Sequence, residues 1–143
     1  NIKYLSINYN QKKIEKKILL ILKKNNIRMI CLAGFMKILS KNFISKFKGK
    51  ILNIHPSLLP KYKGLNTHER VLKNKEKYTG ATVHLVNDKL DSGKIITQKK
   101  IMVLKKDNKK SLEKKVLKIE HKIYPEAIKI LLTNYWKKSL FQF

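Results

Sequence analysis

The chain has 143 residues, enough for one domain with its own core. It carries 34 basic and 9 acidic residues, a formal net charge of +25, and a single cysteine, which leaves no internal disulfide to form. No run of eighteen uncharged apolar residues occurs and no secretory leader is visible, so no membrane-spanning helix is expected and a cytoplasmic protein is.

Residues 2–7 read as a short strand or the tail of one. Over 11–25, Ile14, Ile18, Leu19, Ile21 and Leu22 fall along one helical face, and Asn25-Asn26 ends the helix. Residues 27–33 read as a fully buried strand closed by Gly34, with Cys31 a small buried hydrophobe inside it. Ser40 is a good N-cap for a helix over 41–47, and 50–54 reads as a second buried strand. A turn-rich loop over 55–66 contains Pro56, Pro60 and Gly64, and the Leu59-Pro60 bond is a candidate cis peptide. Thr67 caps a helix over 68–74.

Residues 79–86 alternate as a strand, 87–93 form a loop, and 94–104 form a strand antiparallel to the last. The longest helix spans 111–132, with Val116, Ile119, Ile123, Ala127, Ile130 and Leu131 as its stripe and a kink or break at Pro125. The tail over 134–143 carries Tyr135, Trp136, Phe141 and Phe143 without an assignable element. No repeat, low-complexity linker or second domain is apparent, so residues 1–143 read as one domain. Strand–helix–strand order followed by a hairpin predicts an α/β layered sheet, mostly parallel with antiparallel edges. Ligands of such sheets bind beyond the carboxyl ends of the strands. Gly34, the Asn53/His55 pair and the 87–93 loop all fall at strand ends, and neighbouring strands would place them in one cleft.

The charge alone suggests a basic nucleic-acid-binding module. Against it, only Arg28 and Arg70 are arginines, and the lysines are spread along a chain rich in Ile and Asn. Lys, Ile and Asn are the residues of A/T-rich codons, so base composition accounts for the charge. The resulting field still favours anionic ligands, among them folates and phosphorylated metabolites.

Leu52 to Pro60 reads L-N-I-H-P-S-L-L-P. On a strand, Asn53 and His55 point the same way. An amide NH₂ and an imidazolium together can hold an oxygen that becomes negative during reaction. Pro56 restricts His55 to extended conformations. A carboxylate is needed to keep the imidazole charged and oriented. Asp91 is the leading candidate and Asp88 the second. The four histidines are scattered and no cysteine pair exists, so no metal site is expected. No Gly-rich phosphate loop or G-x-S-x-G elbow is present, and Cys31, inside a strand, is not read as a nucleophile.

The blocks L-A-G-F-M-K-I-L-S at 32–40, I-L-N-I-H-P-S-L-L-P-K-Y-K-G-L-N-T-H at 51–68, G-A-T-V-H-L-V-N-D-K-L-D-S-G at 80–93 and I-E-H-K-I-Y-P at 119–125 resemble the phosphoribosylglycinamide formyltransferase family. Methionyl-tRNA formyltransferases share H-x-S-L-L-P but typically continue with G-A-A-P-I and add a carboxy-terminal domain. Formyltetrahydrofolate deformylases differ around the same loop. The resemblance implies a three-layer, mostly parallel Rossmann-like sheet with an antiparallel edge hairpin, lacking the family's first strand and phosphate-binding loop.

It also implies transfer of a formyl group from the co-substrate 10-formyltetrahydrofolate to the amine of glycinamide ribonucleotide, in purine synthesis. Asn53 and His55 would stabilise the oxyanion, and Asp91 would hold His55 charged and help pass a proton. The implied folate contacts are Gln11, Met36, Lys37, Ile38, Leu39, Asn53, Asn87, Asp88, Lys89, Leu90 and Asp91, and the nucleotide contacts are Leu117, Lys118, Ile119 and Glu120. His84 would support the site, His121 would pack near the substrate, and His68 reads as a surface or loop-helix residue. The implied partners are these small molecules, with no specific nucleic acid and no membrane, for a monomer or homodimer. Gln11 stands where the family often has Arg near the folate tail. The missing phosphate loop leaves an inactive remnant of the same fold as the alternative.

Overall fold

The strands Met29–Leu32 (β1), Lys50–His55 (β2), Tyr78–Leu85 (β3) and Ile95–Met102 (β4) form one sheet in the order β1-β2-β3-β4. Around it lie the helices Gln11–Lys24 (α1), Lys41–Lys46 (α2), Thr67–Lys73 (α3) and Lys109–Leu140 (α4). The computed structural model describes the backbone over 11–140, with Tyr4 and Ser6, and the side chains over 14–133. The strand expected over 2–7 and the residues 141–143 lie outside the described residues.

β1 pairs with β2 in parallel, and β2–β3 and β3–β4 are antiparallel. Among the described residues the parallel pairing is confined to β1–β2. Antiparallel pairing reaches past the expected hairpin because β3 returns directly beside β2. The period of two sorts the side chains. Leu52 of β2 and Ala81 and Val83 of β3 pack against Val116, Ile123 and Ala127 of α4. On the opposite face Ile51 packs with Phe43 and Phe47, covered by Ile18, Leu19 and Leu22 of α1. Helices on both faces make three layers. Each fully buried aliphatic side chain in these layers contributes about 1.5–3 kcal/mol.

Local chemistry sets the helix ends. The Ser40 hydroxyl accepts from the Phe43 amide at 3.0 Å and caps α2, as expected. Thr67 proves to be the first residue of α3 rather than its cap. Asn66 holds that position in the left-handed region (φ 56°) and makes no side-chain cap bond. At α4 the Ser111 amide donates to Asn108 Oδ1 (2.9 Å) while the Asn108 amide donates to Ser111 Oγ (3.0 Å), a reciprocal cap.

α4 then continues through Pro125 without the expected break. Ile123 and Ala127 are buried on either side of the proline, and the Tyr124 hydroxyl donates to the Leu32 carbonyl at 2.7 Å. This docking holds the turns around the lost amide. The Leu59-Pro60 bond is cis. β1 is shorter than the expected strand and only half-buried, and Cys31 is exposed rather than buried. β1 ends the order of strands, so its outer edge has no strand neighbour among the described residues.

Candidate active site

β2 delivers Asn53 and His55 to the face opposite Leu52. The register sets Asn53 against His84 and His55 against Thr82. Asn53 Nδ2 stands 3.4 Å from His84 Nε2, and His84 Nδ1 donates to the Leu85 carbonyl at 2.9 Å. A register shift at Val83/His84 marks a bulge here, a device that re-aims side chains beside active sites. Thr82 secures the chain after His55. Its hydroxyl donates to the Ser57 carbonyl (2.6 Å) and accepts from the Leu59 amide (3.2 Å) and Gln98 Nε2 (2.8 Å).

Because β3 runs against β2, it ends away from His55, and the loop after it must double back across the sheet. Gly93 permits this, since a Cβ there would lie 1.6 Å from the Leu85 carbonyl oxygen. Asp91 takes a left-handed conformation (φ 44°) within the loop. Its carboxylate reaches three partners. Oδ2 lies 3.4 Å from His55 Nδ1 and accepts from the Gly64 amide at 2.8 Å, while Oδ1 lies 3.6 Å from His84 Nε2. Burial pushes the Asp91 pKa up, but the His84 ring, the Gly64 amide and the charges of both imidazoles outweigh it, so the net shift is downward. Asp91 is therefore an anion at neutral pH. The other nitrogen of His55, Nε2, stands 2.8 Å from the Tyr62 carbonyl. Both nitrogens thus face acceptors, and an imidazolium satisfies both.

These groups border a cleft of about 810 Å³ at the carboxyl ends of β1 and β2. Gly34, Asn53, His55 and the 87–91 loop share it, as their positions at strand ends suggested. Met36, Lys37, Ile38 and Leu39 form one wall, and Asn87, Asp88, Lys89, Leu90 and Asp91 another. Asp88 is exposed and lies 3.8 Å from Lys41 Nζ, so Asp91, not Asp88, serves His55. The side chain of Gln11 lies outside the described residues.

From α4, Leu117 and Glu120 line the cleft, whereas Lys118 is exposed and Ile119 packs against the core. A helical residue turns by about 100°, so four consecutive residues cannot all face one ligand. Burial raises the Glu120 pKa, offset in part by His121. His121 itself is exposed and outside the cleft lining, so it does not pack there.

His68 was underestimated by the sequence. It lines the cleft from α3, and its buried Nδ1 has no hydrogen-bond partner. Burial depresses its pKa, with Glu113 opposing and Lys109 and His55 adding to the depression. Its place at the start of the helix that follows the turn-rich 55–66 loop was the available signal.

A family model described as "Formyl transferase" matches residues 6–128. The chain belongs to the formyl transferase family. It is 47% identical over 103 residues to phosphoribosylglycinamide formyltransferase of Haemophilus influenzae, covering 72% of this chain and 49% of that one. It is 44% identical over 125 residues to the human trifunctional purine biosynthetic protein adenosine-3, covering 87% of this chain and 12% of that one. The crystal structure of phosphoribosylglycinamide formyltransferase from Anaplasma phagocytophilum superposes with a TM-score of 0.80 at 41% identity, over 83% of this chain and 58% of that one. The chain spans about half the length of the bacterial curated relatives it matches. The likeness accounts for the sheet order and for the four quoted blocks meeting at one cleft.

Proposed function

We propose that this formyl transferase moves a formyl group from 10-formyltetrahydrofolate to the amine of glycinamide ribonucleotide. The supporting observation is the convergence of Asn53, His55 and Asp91, from a strand and a distant loop, on the floor of one cleft. In this reading His55, held between the Asp91 carboxylate and the Tyr62 carbonyl, acts as the imidazolium that both acceptors suit. The Asn53 amide has two N–H groups. One of them is directed at the formyl oxygen as it gains negative charge. Asp91 keeps His55 aligned and accepts, through water, the proton that the attacking amine loses, which then passes to the departing folate nitrogen. Neither group requires a metal.

The cleft suits the two small molecules. Exposed Met36, Ile38 and Leu90 offer apolar contact to a flat ring, with main-chain groups of the same segments beside them. Glu120 and Leu117, which line the cleft from α4, are the side chains this reading gives to the nucleotide. This reading takes residues 1–143 as one catalytic domain working in the cytoplasm on small molecules, as a monomer or homodimer. The test is formyl transfer by the purified protein with both substrates, comparing wild type with His55→Ala and Asp91→Ala. Losses of about 10²–10³-fold are expected. Wild-type rates in both variants refute the assigned roles.

A further inference from the structure

Tyr62 adopts φ 57°, a left-handed conformation that a bulky aromatic residue rarely takes. Such a conformation persists only where its surroundings over-determine it. Here the side chain is tied on every side. The Tyr62 hydroxyl donates to Glu76 Oε1 (2.8 Å) and accepts from Asn74 Nδ2 (2.9 Å). The Arg70 guanidinium lies over the ring, 5.2 Å from its centroid, and donates to the Lys63 carbonyl at 2.7 Å. Glu76 also takes Lys61 Nζ at 3.1 Å, one residue before Tyr62.

The backbone of the same turn faces the site. The Tyr62 carbonyl stands 2.8 Å from His55 Nε2, and two residues on, the Gly64 amide donates to Asp91 Oδ2. A carbonyl's direction follows the backbone angles of its residue, so returning Tyr62 to an extended conformation would swing the oxygen off the imidazole.

We propose that Tyr62 is a positioning strap: its side chain, knotted to Arg70, Asn74 and Glu76, holds the left-handed turn that aims the Tyr62 carbonyl at His55 and the Gly64 amide at Asp91. None of the three anchors lines the cleft; Asn74 and Glu76 act through the Tyr62 hydroxyl, and Arg70 acts through the ring and the Lys63 carbonyl. The exposed Lys61–Glu76 pair contributes little by itself. The hydroxyl-to-carboxylate bond, charge-assisted, is the principal fastening. The consequence for turnover rests on the formyl-transfer reading, but the strap itself does not.

The test uses the whole chain labelled with ¹⁵N-histidine and measures exchange of the His55 Nε2–H proton with water. Wild type is expected to show a protected Nε2–H signal, absent in His55→Gln. Tyr62→Phe keeps the ring and removes the fastening. It and Glu76→Ala are expected to speed exchange on the order of tenfold. Glu76→Gln retains an acceptor and is expected to stay within about twofold of wild type. The His84 Nδ1–H, which donates within β3 to Leu85, is the internal control and is expected to be unchanged. Three results overturn the proposal: no protected His55 signal in wild type, wild-type exchange in both Tyr62→Phe and Glu76→Ala, or equal acceleration at His84. A wild-type protein that shows the protected signal but transfers no formyl group would refute the activity and leave the strap standing.

Discussion

On the floor of the cleft His84 exposes 3% of its side chain and His55 and Asp91 8% each, whereas on the wall Met36 and Ile38 remain 76% and 66% exposed. Proteins ordinarily do the reverse, sheltering apolar groups and leaving charge in water. The floor tolerates its burial because each polar group already has partners. Asp91 alone gathers two imidazoles and an amide. The wall keeps apolar side chains in water beside a cavity, a pattern that marks a binding surface. Charge is arranged before a ligand arrives, and apolar contact waits for it.

The largest effect should come from breaking the floor. Asp91→Asn keeps the shape but removes the anion between two imidazoles. Formyl transfer is expected to fall about 10²–10³-fold and stability by on the order of 3 kcal/mol, the usual consequence of removing one member of a buried charged set. The pH dependence has a definite sign. The Asp91 pKa is depressed in the folded state, so its stabilisation is complete above the ordinary carboxylate value of about 3.9 and disappears as pH falls through the lower folded value. Acid titration of unfolding should therefore be shallower in Asp91→Asn than in wild type. Equal slopes would show that Asp91 does not hold the floor together.

How much of this contrast the sequence revealed depended on whether side chains or backbone carried it. Asn53 and His55 were legible because a strand's period of two puts them on one face. Asp91 was legible because no other loop offered a carboxylate between a strand end and a glycine. Ser40 was legible as a cap oxygen ahead of an apolar pattern. The contacts from Tyr62 and Gly64 were not, since a carbonyl and an amide leave no mark on residue type. The antiparallel course of β3 was hidden too, because buried strands read alike in either direction. Of the kink or break expected at Pro125, the break is absent because local propensity yields to tertiary docking, here of Tyr124 on Leu32. Cys31 misled because β1 has no strand neighbour on its outer side among the described residues, and its apolar sequence does not show this. Lys118 and Ile119 were carried along with Leu117 and Glu120 by a block match that ignores helical rotation.

The wall should answer differently from the floor. Met36→Ala and Ile38→Ala remove side chains that the folded protein already leaves exposed, so melting should move by less than about 0.5 kcal/mol. If the folate ring covers them, each truncation loses about 1 kcal/mol of apolar contact, roughly fivefold in KM for the folate, with kcat unchanged. A fall in kcat with constant KM would place the wall among the groups that act on the reacting atoms and would erase its distinction from the floor.

The smallest effect, and the sharpest use of the comparison, belongs to Glu120. It lines the cleft like Asp91, yet its pKa is moved the opposite way, upward by burial, with only His121 pulling it back. Between the ordinary glutamate value of about 4.3 and its raised folded value, the folded state binds more protons, so stability falls as pH rises through that window. Above the window the unfavourable contribution is complete. Glu120→Gln should therefore raise stability at pH 7.5, by less than about 1 kcal/mol, and the gain should vanish below pH ~4. The same substitution should weaken glycinamide ribonucleotide binding if that substrate hydrogen-bonds the carboxylate. Asp91 is stabilised by the protein before any ligand is present, whereas Glu120 is held at the protein's expense until one arrives. Urea unfolding of Glu120→Gln across pH 4–8 decides between them, since destabilisation at pH 7.5 would make Glu120 a second satisfied carboxylate of the floor rather than a group waiting for substrate.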